Sequence, residues 1–200
     1  MVTTTAPLTF SEFLEQYPDD QGRFELVDGE IIEMPATRRH DDIAEFLDRQ
    51  FYQEVARLKL NYVVKQGIPI RTTTKKGDEQ GRIPDVSVID KTIWRSNRTD
   101  YAALQEPIQL AVEVVSTNWD DDYIDKFDEY QRLGIQEFWI VDYLALGAIR
   151  YLGKPKQPTV FVHWLGEEEE YQVSTFRVGD TIVSSTFPEL RITVQQILDV

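Results

Sequence analysis

Apolar positions recur along this chain with two periods, one helical and one of strands. Over residues 41–59, Ile43, Phe46, Leu47, Phe51, Val55 and Leu58 fall on one face, which predicts an amphipathic helix. Phe10, Phe13, Leu14 and Tyr17 keep the same spacing and predict a short helical lead-in over 7–18. A third helix is expected over 120–133. Three aspartates fill its first turn, where the helix dipole favours anions, and Gly134 suits its C-terminal cap. Residues 192–198 read as a short closing helix. Strands are expected elsewhere. Residues 23–34 form a hairpin about Asp28-Gly29, since glycine tolerates the positive φ of a type I′ turn. Strands follow at 61–71, 82–90, 108–115 and 137–142, with a polar loop over 72–81. Further β-structure is expected at 148–152, 159–164, 171–176 and 181–185. The order predicts a mixed β-sheet core flanked by helices with additional β-hairpins, of α/β (α+β) class.

Two carboxylates break this pattern. Asp85 opens the apolar segment 84–89, directly after Pro84, and Glu113 interrupts the apolar run 110–115. A buried carboxylate needs a partner, a metal or a shifted pKa. On neighbouring strands the two would form a site for a hard divalent cation, with substrate phosphate and water completing it. A strand-edge carboxylate at Asp85 and a buried ion pair at Glu113 are the competing readings. Lys126 joins them through the helical wheel. It falls inside the apolar arc of the 120–133 helix, whereas Asp122, Asp125, Asp128, Glu129 and Arg132 fall outside. The alternative is a lysine that snorkels to water at the rim.

Composition narrows the function classes. The net charge of -14 excludes a basic nucleic-acid coat protein. The charge is uneven: residues 65–98 carry 8 Lys/Arg against 4 Asp/Glu and bracket Asp85. That stretch is either a solvated loop or a phosphate-contacting rim. Cysteine is absent, which removes disulfides, thiolate zinc sites and cysteine nucleophiles and suits a reducing cytoplasm. No secretory signal and no membrane span are expected, so the expected location is cytoplasmic.

An Asp, a Glu and a Lys meeting at one sheet end is the arrangement of the PD-(D/E)XK nuclease superfamily. The texts FELVDGEIIEMP, IPDVSVID, AVEVVS and DKFDEYQRLGIQEFWIVD, in this order, resemble the Uma2 family of bacterial restriction-endonuclease-like proteins. The resemblance implies one restriction-endonuclease-like domain over 1–200, with its core at about 10–190. It also implies a metal-dependent nuclease using Mg²⁺ or Mn²⁺. Asp85 matches the motif aspartate and Glu113 the second acid. The usual pattern places its lysine at position 115, where this chain has Val115, so Lys126 would be a migrated replacement. Glu25 matches a family glutamate and would approach the same metal, a surface strand glutamate being the competing reading, and the Val114 carbonyl would be a further ligand. The implied partner is nucleic acid, DNA foremost, and a homodimer fits enzymes that cut two strands.

Other residues are weaker candidates. His40 projects to the side of Ile43 and Leu47, and either faces the site or merely starts a helix. Gln66 carries no readable orientation. Ser116 reads as a cap for the next helix and His163 as structural. Tyr130, Phe138 and Trp139 read as core, and the run 167–170 as a solvated turn. Two rivals stand beside the nuclease. One is a nuclease-fold module that binds nucleic acid or protein without catalysis. The other is a purely structural Glu113–Lys126 pair beneath the sheet.

Overall fold

The computed structural model describes residues 6–18, 22–96 and 101–200. The opening residues read for a signal segment, and Arg98 of the basic stretch, lie outside them. Helix α1 (Phe10–Glu15) begins at a capping box in which Thr9 and Glu12 satisfy each other's backbone N–H. The hairpin β1 (Phe24–Val27) and β2 (Glu30–Glu33) turns on Asp28-Gly29, both at positive φ. Helix α2 (Arg38–Leu58) starts three residues earlier than its apolar pattern, because the Thr37 side chain caps it by accepting from the His40 N–H.

The expected strand over 61–71 is two strands, β3 (Tyr62–Lys65) and β4 (Ile70–Thr73), in different sheets. Much of the expected loop over 72–81 is the hairpin of β4 with β5 (Glu79–Arg82). Its polar side chains concealed the pairing: Thr72 binds Glu129 and Gln80 binds Asp28. The expected strand over 82–90 is also broken. β5 ends at Arg82, Pro84 has no N–H to give a ladder, and β6 (Val86–Asp90) begins in the other sheet. Asp85 occupies the crossover between sheets.

A short helix α3 (Lys91–Ser96) follows unexpectedly, then β7 (Leu110–Val114). The third helix opens with a π-helical turn (Asp121–Asp125) before α4 (Lys126–Leu133), which Gly134 ends at φ 91°. β8 (Glu137–Asp142) is as expected. Residues 148–152 form a helix, α5 (Ile149–Leu152), instead of a strand. The hairpin β9 (Thr159–Leu165) and β10 (Tyr171–Arg177) follows, with the acidic run 167–170 in its turn. No strand forms at 181–185, where Thr181 makes only an isolated bridge to Thr193. Helix α6 (Val194–Leu198) ends the chain.

The first sheet has the order β2-β1-β5-β4 and the second β10-β9-β8-β7-β6-β3. β7 and β8 are parallel, so the link between them crosses over, and α4 lies in it. The alternation of β7 divides the core. Leu110, Val112 and Val114 face α2 and α6 through Ile43, Leu47, Phe51 and Ile197. Ala111, Glu113 and Val115 lie on the opposite side, with Tyr130 of α4 and Phe138 of β8. The first sheet packs its own cluster, Phe10, Phe13, Phe24 and Leu26, against α1. The mixed architecture agrees with the expected class.

His163 is structural, as the sequence indicated. Its ring stacks on Phe138, meets Phe127 edge-on, and Nδ1 lies 3.2 Å from the Phe138 carbonyl oxygen. Burial lowers its pKa to about 4 despite that carbonyl. The unfolded chain therefore takes up a proton below pH 6.5 that the folded chain refuses until about pH 4. Stability should fall through this window by roughly 3 kcal/mol from this residue alone. Urea unfolding at pH 7 and pH 4.5 tests it: the loss on acidification should be smaller in His163→Leu than in the wild type. Equal losses would contradict the burial argument.

Candidate active site

Asp85 and Glu113 meet through strand register. β6 runs antiparallel to β7 with Val86 opposite Val112, and the Asp85 N–H donates to the Val112 carbonyl at 2.9 Å. Continuing that register sets Asp85 across from Glu113. One Asp85 oxygen, Oδ2, accepts the Val114 N–H at 2.7 Å and lies 3.2 Å from His40 Nε2. The other, Oδ1, is held by Arg23 Nη1 at 2.5 Å. His40 therefore faces the site. Its Nδ1 is 3.6 Å from Asp41, beyond hydrogen-bond reach.

Glu113 points toward α4. Its Oε2 accepts from Lys126 Nζ at 2.9 Å and its Oε1 from the Tyr130 hydroxyl at 2.6 Å. Tyr130 thus belongs to the site as well as the core. Lys126 does not snorkel. It is 4% exposed, and its ammonium also lies 3.2 Å from Glu25 Oε1 and 3.4 Å from Asp122 Oδ1. Glu25 spends both oxygens: Oε1 accepts the Ile83 N–H, and Oε2 pairs with Arg82 at 3.1 Å. Arg82 is itself buried and forks onto both oxygens of Glu129.

Asp85, Glu113, Lys126, Glu25, Asp122, His40 and Arg23 line one cavity of about 360 Å³, together with Val114 and Ser116. Ser116 does not cap the helix, because its hydroxyl donates to Asn118. Val115, at the superfamily's lysine position, is buried in the core. Gln66 is exposed in the turn after β3 and does not join the site. Among the described residues of 65–98, no lysine or arginine lines this cavity, and four are engaged elsewhere. Arg82 is buried in ion pairs, Arg71 pairs with Glu79, Lys75 pairs with Asp128, and Lys65 lies over Trp94.

The wheel set Asp122 and Glu129 outside the apolar arc, yet both are buried. Asp122 lies four residues before Lys126, a spacing that sets two side chains on one helix face, so its contact with the ammonium follows from helical winding. Arg23, Arg82 and Glu129 carry no local signal, since each is defined only by a partner from a distant segment. Buried carboxylates alone would also mislead. Glu137 and Asp142 are fully buried and satisfied by neutral donors, Trp139 and the Thr186 N–H for one, Tyr123 and two backbone N–H groups for the other.

The electrostatics follow from crowding. Burial acts against the Lys126 charge, but Glu113, Glu25 and Asp122 outweigh it and raise its pKa well above the ordinary value. Burial raises Glu113 well above the carboxylate range; Lys126 opposes this, and Asp85, Asp122 and Glu25 add to it. Asp122 is pushed up to about 7, by burial first and then by Asp85 and Glu25 against the pull of Lys126. Burial would raise Asp85 too, yet the His40 hydrogen bond and charge, the Val114 N–H and Lys126 bring it below its ordinary value. Burial would lower His40, and Asp85 reverses the direction.

Among the described residues, no three His, Cys, Asp or Glu side chains are grouped to hold a metal ion. Mg²⁺ requires fewer, because it keeps waters and accepts one or two carboxylates. Asp85 and Glu113, which line the same cavity, supply oxygen donors of that kind. Charge agrees. Glu25, Asp85, Glu113, Asp122 and Glu129 crowd around Arg23, Arg82 and Lys126, and the raised pKa of Glu113 and of Asp122 expresses a repulsion that a divalent cation would relieve. The donor set fits a hard cation.

The sequence profile of the Uma2 family, described as putative restriction endonuclease, matches residues 10–195. Among solved structures, that of a putative nuclease belonging to DUF820 from Anabaena variabilis is similar, with a TM-score of 0.71. The two chains are 18% identical, and the match covers 96% of this chain and 98% of that one, which shows a shared fold. No curated protein matches the chain.

Lys126→Met should lower unfolding stability by roughly 3–5 kcal/mol, because it strips three buried carboxylates of a shared cation. Urea denaturation at pH 7 measures this. A loss below about 1 kcal/mol, the scale of an exposed ion pair, would show that the ammonium does not hold the cluster.

Proposed function

Because the chain belongs to the Uma2 family, we propose that it is a divalent-metal-dependent nuclease that hydrolyses phosphodiester bonds in nucleic acid, DNA foremost. The observation carrying this reading is the convergence of Asp85, Glu113 and Lys126 in one cavity from three separate elements. Asp85 and Glu113 would hold Mg²⁺ or Mn²⁺, with the Val114 carbonyl as a further ligand. When bound, that ion would polarise the scissile phosphate and lower the pKa of a water.

The chain's own groups do the rest. Lys126 orients the attacking water and offsets charge developing on the phosphate oxygens. Glu25 acts through Lys126 as a positioning residue, since its carboxylate fixes the ammonium against Glu113. Arg82 holds Glu25 in turn. Tyr130 orients Glu113 by donating to its Oε1. The Val114 N–H and His40 hold Asp85 in the cavity wall. Burial makes each of these interactions stronger than it would be in water.

One observation favours the alternative, a nuclease-fold module without turnover: Val115 stands where the superfamily pattern has its lysine. A cleavage screen separates the two readings. Plasmid DNA, single-stranded DNA and RNA are incubated with Mg²⁺, Mn²⁺ or EDTA. The nuclease reading expects cleavage that EDTA stops, that Asp85→Asn abolishes, and that Glu113→Gln slows at least about 100-fold, all with unchanged circular dichroism. Unchanged cleavage by folded Asp85→Asn would sink the assignment. Binding without cleavage under every cation would establish the non-catalytic module.

A further inference from the structure

Arg23 has no place in the superfamily pattern, yet it makes the shortest ionic contact of the cavity, 2.5 Å to Asp85 Oδ1. Its position explains why it can both hold and release that oxygen. The Arg23 backbone is anchored, because its carbonyl accepts the Met34 N–H at 2.8 Å and extends the first hairpin. Its side chain is 26% exposed, whereas that of Asp85 is 7% exposed, so the guanidinium reaches inward from the mouth. Its second carboxylate, Asp41, lies 3.7 Å away and is 56% exposed, which makes it a weak hold.

The two oxygens of Asp85 have different surroundings. Oδ2 is committed to the Val114 N–H and His40, while Oδ1 is held by Arg23. A divalent cation on Asp85 would find Oδ1 the accessible donor, and two cations against one oxygen repel strongly. The guanidinium and the metal ion therefore compete. Once displaced, Arg23 remains tethered at the mouth, where its planar fork matches two phosphate oxygens.

We propose that Arg23 is a counter-ion switch: it occupies Asp85 Oδ1 in the cation-free protein and turns onto a substrate phosphate when a divalent cation takes that oxygen. This rests on the reading that Asp85 holds the cation. The switch couples metal loading to substrate capture, because the phosphate ligand is released only by a filled site. Removing Arg23 should then have opposite effects on the two ligands.

Calorimetric titration of Mn²⁺, without nucleic acid, into the wild type, Arg23→Ala, Arg23→Gln and Asp85→Asn provides the first readout. Both Arg23 variants should bind Mn²⁺ about 10-fold more tightly than the wild type, and Asp85→Asn should not bind. Affinity for a short DNA duplex, in Ca²⁺ and in EDTA over a salt series, is the second. In Ca²⁺ the Arg23 variants should bind about 10-fold more weakly, with the salt slope reduced by about one, and in EDTA they should match the wild type. Suppose Asp85→Asn abolishes Mn²⁺ binding but the Arg23 variants bind no tighter than the wild type. The switch is then overturned and the metal reading stands. Equal loss of DNA affinity in EDTA likewise overturns the switch. Mn²⁺ binding unaffected by Asp85→Asn, or absent from the wild type and the Arg23 variants alike, overturns both. Failure of both Arg23 variants to fold would make the contact structural and overturn the switch.

Discussion

The buried ammonium of Lys126 organises this molecule. It is charged, almost without solvent, and touched by carboxylates from three places: Glu25 in the first sheet, Glu113 in the second, and Asp122 in the turn before its own helix. Arg82 repeats the device one layer away, joining Glu25 to Glu129 of α4. These two cations tie both sheets and one helix together where apolar packing is interrupted. Pairs of this kind add little net stability over a well-packed apolar core, but breaking one is costly because a bare buried charge remains. The cluster therefore acts as a positional lock. It fixes where Glu113 and Glu25 point and leaves a carboxylate surplus facing one cavity.

Two local irregularities border that convergence. Pro84 ends one strand and lets the chain pass to the other sheet, so Asp85 sits in a crossover instead of a regular ladder. There it can accept a β7 backbone N–H while its other oxygen faces the cavity mouth. The π-helical turn before Lys126 is the second. It winds an extra residue into the helix start, and within it Asp122 keeps the i, i+4 approach to the Lys126 ammonium at 3.4 Å. Both irregularities lie against the cavity and not at the periphery, where a strained turn would have no effect on chemistry.

The charge balance bears on partners. The protein is strongly acidic, and Lys65, Arg71, Lys75 and Arg82 of the basic stretch near Asp85 are held in ion pairs and a cation–π contact away from the cavity. On the proposed reading, attraction for a polyanion would come chiefly from within the site, once a cation is bound and Arg23 is free. Such a protein would hold nucleic acid weakly at large and depend on the local site for capture.

Much of the fold and part of the site were legible in the sequence. The helical period of 43–58, the Asp28-Gly29 turn, and Glu113 within an apolar run each carry a local physical cause, and each appears in the structure. Lys126 was legible because a helix wheel needs no information beyond the helix. The strands over 61–71 and 82–90 were misjudged as continuous because apolar runs do not say which sheet receives each half. The β4–β5 hairpin was hidden because its side chains are polar while its backbone pairing is a long-range matter. Arg23, Arg82 and Glu129 became site residues only through partners tens of residues away. Hydrophobic period and local caps are properties of neighbouring residues, so the sequence alone determines them. Which charge meets which across two sheets depends on chain crossover and register, and only the tertiary structure decides that.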